Sequence, residues 1–474
     1  MKKSWSRGAI EKYMKSNKFP RIIIGAGASG AGKTTITCAI IKALVNRKLS
    51  VASFKCGPDY IDTMFHGKIV GEKSRNLDPY FFSDNTLKFL FANHAEGKDI
   101  SVVEGVMGYY DGISMKGEAS TYEVASITDT PAILIVNAKA AALSIIAEIE
   151  GFLNFKEDSK ISGVVFNGCT EWMYPELKKE VEERFKGRVR PLGFLPNLPD
   201  ASLESRHLGL VTADEVEDIE EKLMLLAEAA ERYLDMEGII NLANSASEIY
   251  FEDVIPPLFF DKIRIAVARD KAFCFYYEDS LALLEKMGAE IIEFSPLNDE
   301  LLPDEIDGIY LGGGYPELYA KKLKENQSMR SSIKAAIERG LPCIAECGGF
   351  MYLLENIEVA EGTFEMTGAF PGKSFDAGRL VRFGYIELEA KRDNMLCSVG
   401  ERIRGHEFHH WDADFTGEDF VATRPSGKSW PCVFASENLY AGYPHFHFYS
   451  NLKFAENFYR ACLEWKEAGR DRDN

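Results

Sequence analysis

Residues 27–34 have the spacing of a phosphate-binding loop, in which three glycines precede a lysine and a threonine. Glycine lets the backbone fold closely around a phosphate and point its N–H groups at it. The spacing predicts that Lys33 reaches the β- and γ-phosphates of a nucleotide and that the Thr34 hydroxyl meets Mg²⁺. The expected nucleotide-binding residues are Gly27, Gly30, Gly32, Lys33, Thr34 and Thr35.

Acidic residues follow the predicted strand at residues 100–103, close to where the phosphate loop should lie. Glu104 comes directly after this strand, and Asp111 lies in the glycine-rich stretch beyond it. A carboxylate at such a strand end is suited to bind Mg²⁺ or to orient water. We expect Thr34, Glu104 and Asp111 to hold the metal, and surface acids on a loop are the alternative.

A second polar loop follows the predicted strand at residues 51–55. Its Gly-Pro pair marks a turn. Ligands of open α/β sheets bind beyond the carboxyl ends of the strands. We therefore expect Lys55, Asp59 and Asp62 to stand beside the phosphate loop, and a turn with solvated charges is the alternative.

Cys347 lies in Glu-Cys-Gly-Gly, between a predicted strand and a predicted helix, as in a nucleophile elbow. The N-terminus of the following helix favours the thiolate form of the cysteine. Backbone N–H groups on both sides could form an oxyanion hole, and we expect Gly313, Gly314 and Gly348 to provide them. Cys343 lies inside the strand and is expected to be a core residue.

A cysteine nucleophile needs a base, and five histidines near the end of the chain are the candidates. They are His406, His409, His410, His445 and His447. The His-x-His spacing of the last pair could also mark a metal site, but no third ligand stands at a matching distance. The favoured interpretation is that one member of this last pair is the base.

The residues between these motifs alternate short apolar runs with helical patterns. Short apolar runs predict buried strands, and apolar residues at helical spacing predict helices. Strands that alternate with helices predict an α/β fold with a parallel, doubly wound sheet. Predicted strands begin at residues 21, 51, 100, 131, 161, 190, 263, 290, 307 and 341, and predicted helices cover 35–44, 213–236 and 275–287.

At 474 residues the chain is too long for a single core, and more than one domain is expected. Strong periodicity is lost within residues 238–257, which contain two adjacent prolines. We therefore expect an N-terminal extension at 1–20, a first α/β domain at 21–240, a linker at 241–261 and a second α/β domain at 262–474.

Composition limits the classes of partner. The formal net charge of −18 argues against a nucleic-acid surface, which needs a basic face. The nine cysteines include no Cys-x-x-Cys pair, so zinc ribbons and thioredoxin-like sites are not expected. Without an apolar signal segment or an 18-residue apolar run, we expect a cytoplasmic protein that binds small molecules and no membrane. The oligomeric state stays open, with a homodimer among the alternatives.

Taken together, the motifs resemble the cobyrinate a,c-diamide synthase family. The similarity runs, in the family's order, through residues 27–34, 55–62, 103–112, 204–211, 312–317, 345–349, 405–409 and 445–448. It implies that the first domain is a P-loop amidoligase of the dethiobiotin-synthetase type. It also implies that the second is a class I glutamine amidotransferase domain.

The resemblance implies amidation of the a and c carboxylates of a corrin precursor in cobalamin biosynthesis, with ATP and Mg²⁺. In the family, ATP phosphorylates the carboxylate, and ammonia released from glutamine then displaces the phosphate. Because free ammonia is mostly protonated at neutral pH, we expect a shielded route between the two sites.

The resemblance also assigns roles to residues by position. Cys347 is the glutaminase nucleophile and His445 is its base. Nothing after His445 matches the glutamate that completes a triad in other amidotransferases, so a Cys–His dyad is expected. The stretch expected to place the substrate comprises Lys55, Asp59, Tyr60, Ile61 and Asp62.

Two alternatives stay open. The same chemistry could act on hydrogenobyrinate or nickel-sirohydrochlorin, whereas residues 58–62 disfavour the later amidations that give cobyric acid. A protein of another class, a regulatory P-loop ATPase with an inert amidotransferase-like domain, is disfavoured because Cys347 and His445 are both present.

Overall fold

The computed structural model describes residues 14–203, 205–206, 209–210 and 218–470. The chain forms two compact units that divide between Val254 and Ile255. Part of the family-like stretch 204–211 and the first residues of the stretch 213–236, predicted as helices, lie outside the described residues.

The first unit is built on a seven-stranded sheet in which every strand pair is parallel. Its central strands are apolar on both faces, as buried parallel strands are. The strands of this unit are β1 Lys15–Asn17, β2 Arg21–Ala26, β3 Val51–Cys56, β4 Arg75–Leu77, β5 Ile100–Glu104, β6 Ala132–Asn137, β7 Ile161–Asn167, β8 Arg190–Leu195, β9 Ser205–Arg206, β10 Gly209–Leu210 and β11 Ile249–Phe251. The sheet order β4-β3-β5-β2-β6-β7-β8 places β2, which leads into the phosphate loop, between β5 and β6.

Helices cover the strands, and some of them start at a side chain that caps the first turn. Ser83 accepts a hydrogen bond from the Thr86 N–H, and Asp235 accepts one from the Gly238 N–H. The cap at Asp235 begins a new helix, so the helices predicted within 213–236 comprise Ile219–Tyr233 and the start of Met236–Asn244. The described helices are Lys33–Asn46, Ile61–Val70, Asp84–Ala95, Thr121–Ile127, Leu143–Phe155, Tyr174–Phe185, Ile219–Tyr233 and Met236–Asn244.

The unit boundary falls inside the stretch 241–261 predicted as a linker. The first part of this stretch is folded into the first unit, because the helix Met236–Asn244 enters it and β11 pairs with β1. The same pairing ties residues 15–17 of the predicted extension 1–20 to this unit. The buried Phe19 ring packs edge-on against Phe91 at a centroid distance of 5.9 Å.

The second unit contains a six-stranded sheet of order β13-β12-β14-β15-β25-β24. Two smaller sheets follow. One is mixed, of order β17-β16-β18-β21, with β16 and β18 parallel. The other is antiparallel, of order β23-β22-β19-β20-β26. The strands are β12 Ile263–Ala268, β13 Ala289–Phe294, β14 Gly308–Leu311, β15 Cys343–Glu346, β16 Asn356–Val359, β17 Gly362–Glu365, β18 Lys373–Asp376, β19 Arg382–Ala390, β20 Arg402–His409, β21 Trp411–Ala413, β22 Phe420–Thr423, β23 Ser429–Cys432, β24 Phe434–Ala435, β25 Leu439–Gly442 and β26 His445–Phe446.

The helices of the second unit flank its six-stranded sheet, which is parallel except for its edge strand β24. They are Glu278–Met287, Ala320–Glu325, Gln327–Glu338, Gly348–Leu353 and Leu452–Arg470. The helix predicted to start at residue 275 starts at Glu278, because Phe275 forms an antiparallel bridge to Gly313 and is held outside the helix. Within the described part of the chain, no helix is both long and apolar enough to cross a membrane.

Candidate active sites

The phosphate loop connects β2 to the helix Lys33–Asn46, as the sequence predicts. Gly30 and Gly32 adopt positive φ angles of 75° and 92°, which other residues rarely adopt. A β-carbon placed at Gly32 would lie 2.2 Å from the Asn167 side chain. Glycine is therefore needed at this position both for its conformation and for its small size. Gly27, Thr34 and Thr35 are half-buried around the same turn.

Lys33 folds back over this loop. Its ammonium donates to the carbonyl oxygens of Ala28 at 3.1 Å and Met107 at 2.5 Å. Burial, followed by the neighbouring charge of Lys55, lowers the pKa of Lys33 to about 8. A phosphate placed beside this ammonium would favour its charged form.

Glu104 is the centre of a buried polar network and is fully inaccessible to solvent. One carboxylate oxygen accepts from the Thr34 hydroxyl at 2.7 Å and from the Lys55 ammonium at 2.9 Å. The other lies 2.7 Å from Nε2 of His66. Burial opposes the charge of Glu104, but Lys55 and His66 outweigh it and hold the pKa of this carboxyl below its usual range. Glu104 is therefore held ionised beside the phosphate loop.

Asp62 shares this network. It lies 2.6 Å from Nζ of Lys55 and 3.4 Å from the Thr34 hydroxyl. Burial, with the negative charges of Asp59 and Glu104, raises the pKa of Asp62. An additional cation beside these carboxylates would offset their mutual repulsion and favour the ionised form of Asp62.

The oxygen atoms of Thr34, Asp62 and Glu104 are the type of donor that Mg²⁺ prefers. The mutual repulsion of the carboxylates around Asp62 is a second feature that fits a divalent cation. Among the described residues, no group of three His, Cys, Asp or Glu side chains is arranged to hold a metal by itself. The donors therefore fit a Mg²⁺ ion that keeps several water or phosphate ligands.

The other residues predicted for the nucleotide and substrate site do not all join the network around Glu104. The Asp111 carboxylate accepts from the Gly108 N–H at 3.2 Å, and its charge acts on Lys33. Asp59 accepts from the N–H groups of Ile61 and Asp62, both at 2.9 Å, so it holds the start of a helix. Tyr60 and Ile61 are each only 7% exposed.

In the second unit, Cys347 occupies the sharp turn between β15 and the helix Gly348–Leu353. Its φ of 48° and ψ of −104° are strained for a residue with a side chain. Its N–H donates to the carbonyl of Gly442 at 2.7 Å, which fixes the turn. The predicted elbow is thus present, and Cys343 is a buried strand residue as expected.

His445 lies against Cys347 and is only 3% exposed. Burial opposes its protonation, but hydrogen bonds to Cys347 and Glu346 outweigh this effect and raise the pKa of His445 to about 10. Nδ1 of His445 lies 3.3 Å from a carboxylate oxygen of Glu346. The second Glu346 oxygen accepts from the Phe446 N–H at 3.3 Å.

The expectation of a Cys–His dyad without an acid is therefore wrong, because the Glu346 carboxylate lies against His445. The acid that meets His445 precedes the cysteine in the chain, so a search for a glutamate after His445 could not find it. The signal was present in the sequence, since Glu346 is the last residue of a buried strand and adjoins the candidate nucleophile.

The glycines predicted to stabilise an oxyanion surround this pair. A β-carbon at Gly313 would lie 2.5 Å from Cε1 of His445, and one at Gly348 would lie 3.1 Å from the backbone nitrogen of Gly314. The backbones of all three glycines thus approach the Cys347–His445 region closely. By contrast, His447 is turned to the chain after it, where its Nδ1 accepts from the Tyr449 N–H at 3.2 Å.

His66 is another residue that the motifs missed. It stands four residues after Asp62 on the helix Ile61–Val70, and both side chains are buried. Residues four apart share a helix face. This spacing was the signal that could have placed His66 with the acids of the phosphate-loop site.

Comparison with known proteins gives one family model for each unit. Residues 22–211 match a CobQ/CobB/MinD/ParA nucleotide binding domain. Residues 264–453 match a CobB/CobQ-like glutamine amidotransferase domain. The predicted order of a P-loop domain followed by an amidotransferase domain is confirmed.

Several curated proteins are similar along nearly their whole length. A cobyrinate a,c-diamide synthase of Clostridium acetobutylicum is 41% identical over 93% of this chain and 99% of its own. One of Listeria innocua is 42% identical over 91% of this chain and 97% of its own. One of Thermoplasma volcanium is 38% identical over 95% of this chain and 99% of its own.

Proposed function

We propose that this chain, which belongs to the cobyrinate a,c-diamide synthase family, amidates the a and c side-chain carboxylates of cobyrinate with ATP and glutamine. The observation that carries this proposal is that one chain holds a complete phosphate loop and a Cys–His–Glu constellation. The former suits activation of a carboxylate, and the latter suits release of ammonia from an amide.

The first unit would activate the carboxylate by phosphorylation. The loop N–H groups and Lys33 would bind the nucleotide phosphates and stabilise the charge that develops during transfer. Thr34, Asp62 and Glu104 would hold Mg²⁺, which neutralises phosphate charge when it is bound. Lys55 and His66 keep Glu104 ionised and oriented toward the Thr34 hydroxyl.

The second unit would hydrolyse glutamine. The Cys347 thiolate attacks the amide carbon, and the backbone around Gly314 and Gly348 stabilises the resulting oxyanion. The His445 imidazolium gives its proton to the leaving nitrogen, so that ammonia departs and a thioester remains. Water then hydrolyses the thioester to glutamate. Ammonia displaces phosphate from the activated carboxylate to form the amide.

Product analysis with a panel of tetrapyrrole acids tests the proposed substrate. The purified protein is incubated with ATP, glutamine and either cobyrinic acid, hydrogenobyrinic acid or nickel-sirohydrochlorin. We expect two amides to form on cobyrinic acid at the highest kcat/KM. Faster amidation of another acid would show that this acid, and not cobyrinic acid, is the substrate. An absence of glutamine hydrolysis would refute the amidotransferase role.

A further inference from the structure

The glycine loop at residues 312–314 is held from behind by residues 268–277, a segment with no role in the chemistry described so far. The N–H groups of Cys274 and Phe275 both donate to the carbonyl of Gly313, at 2.9 and 3.0 Å. Phe275 and Gly313 thereby form an isolated antiparallel bridge. The loop is therefore fixed on the side that faces away from the nucleophile elbow.

This contact also sets the direction of the Gly314 N–H, because the Gly313 carbonyl and the Gly314 N–H belong to one peptide group. The peptide is trans, so its C=O and N–H point in opposite directions. The Gly314 N–H therefore points away from Cys274 and Phe275. The Gly314 nitrogen also comes close to the elbow, where a β-carbon at Gly348 would lie 3.1 Å from it.

The Tyr276 hydroxyl holds the first peptide of the loop. It accepts from the Gly312 N–H at 2.8 Å and donates to the carbonyl of Ala268. Tyr276 is 5% exposed, and burial raises the pKa of its hydroxyl, which stays protonated and able to donate. One hydroxyl thus ties the end of β12 to the start of the glycine loop.

The same peptide group touches the elbow on its other side. Its carbonyl belongs to Leu311, and a β-carbon at Gly349 would lie 2.2 Å from that oxygen. At Gly312 a β-carbon would lie 2.4 Å from Cζ of Tyr276. The peptide is therefore packed closely between the Tyr276 ring and the helix that follows Cys347.

Arg269 in turn holds the Tyr276 ring. Its guanidinium carbon lies 4.9 Å from the centre of the ring, a distance at which a cation is attracted to the aromatic face. Its Nη1 donates to the Glu278 carboxylate at 3.0 Å. Because Glu278 is the first residue of the next helix, this pair fixes the guanidinium and the ring beneath it.

We propose that Tyr276 is a positioning residue for glutamine hydrolysis, one that holds the glycine loop so that the Gly314 N–H stays aimed at the developing oxyanion. The inference rests on the proposed glutaminase function of this unit. When the Cys347 thiolate adds to the amide carbon, the electron pair of the C=O bond moves to the oxygen. Donors fixed before the reaction stabilise that charge without having to reorganise.

The test separates oxyanion stabilisation from the reactivity of the thiol. We expect Tyr276→Phe to lower kcat for glutamine hydrolysis by about tenfold, because the buried Gly312 N–H loses its acceptor and the loop is no longer fixed. KM should change less than about twofold. Iodoacetamide alkylates Cys347 by displacing iodide from a saturated carbon, so no oxyanion forms. The rate of this alkylation, followed at Cys347 by peptide mass spectrometry, should also change less than about twofold.

Tyr459→Phe is the matched control, since it removes a tyrosine hydroxyl that donates to the Asp261 carbonyl at 2.9 Å in the same unit. It should alter neither rate. An unchanged kcat in Tyr276→Phe would overturn the inference. An equal loss of hydrolysis and alkylation would do so as well, because it would assign Tyr276 a purely structural role at the elbow.

A second variant keeps the test informative if Tyr276→Phe fails to fold. Arg269→Gln leaves the tyrosine hydroxyl in place but releases the ring, so kcat should fall by about twofold or more while the alkylation rate of Cys347 is kept. An unchanged kcat in this variant would contradict the inference. A wild-type protein that does not hydrolyse glutamine would instead contradict the proposed function itself.

Discussion

Replacing Glu346 by glutamine removes the charge that supports His445 while keeping the size of the side chain. The carboxylate makes two contacts of 3.3 Å, to Nδ1 of His445 and to the Phe446 N–H. The amide retains only one acceptor oxygen, so one of the two donors loses its partner. Since Glu346 is 1% exposed, water does not readily replace that partner.

A hydrogen bond to a charged group contributes about 1.5–3 kcal/mol, so we expect kcat for glutamine hydrolysis to fall roughly ten- to 150-fold. The pH profile should change as well. The pKa of His445 is raised to about 10, and the imidazolium is therefore lost only as the pH rises through that value. Without the Glu346 charge this pKa falls, so the alkaline loss of activity should begin at a lower pH.

The assay is ammonia release from glutamine as a function of pH, with amidation from added ammonium salts as a second readout. Glu338→Gln, at an exposed position on the helix Gln327–Glu338, is the matched control and should behave as the wild type. Amidation from ammonium should survive in Glu346→Gln, because it bypasses this site. An unchanged rate and an unchanged alkaline limb would refute the role assigned to Glu346.

Three further predictions concern both units. Lys33→Ala should abolish amidation from either nitrogen source but leave glutamine hydrolysis, and undiminished synthesis would show that Lys33 is not in the nucleotide site. In the wild type, the affinity for ATP should fall as the pH rises through about 8, because Lys33 then loses its proton. Glu104→Ala should reduce turnover at limiting Mg²⁺ more than Asp111→Ala does, because Glu104 accepts a hydrogen bond from the Thr34 hydroxyl whereas Asp111 accepts one from the Gly108 N–H. The opposite order of steady-state rates would assign the metal to Asp111 instead of Glu104. His445→Ala should lower glutamine hydrolysis far more than His447→Ala, and the opposite ranking would make His447 the base.

Much of the fold follows from the sequence because its parallel strands are short, apolar runs. The strand at Arg21–Ala26 and the loop after it could be predicted, since burial on both faces and the glycine spacing leave distinct patterns. The strands between Asn356 and Thr423 could not, because most of them are half-buried and such strands have weaker patterns.

Long-range contacts account for the site residues that the motifs missed. Glu346 meets His445 across 99 positions of the chain, and His66 meets Glu104 across 38. The motif also predicted the same role for Asp111 as for Glu104, that of a metal ligand. The structure separates them, since the Asp111 carboxylate is bonded to the nearby Gly108 N–H.

The most direct test of the account follows nitrogen from glutamine to product. Cobyrinic acid, ATP and glutamine labelled with ¹⁵N at its amide are incubated with the protein, and the products are analysed by mass spectrometry. The account predicts two new amides, both carrying ¹⁵N, and none in Cys347→Ser unless an ammonium salt is added. Loss of the ammonium-dependent reaction in a folded Cys347→Ser protein, or products without ¹⁵N from the wild type, would contradict the scheme of two cooperating sites.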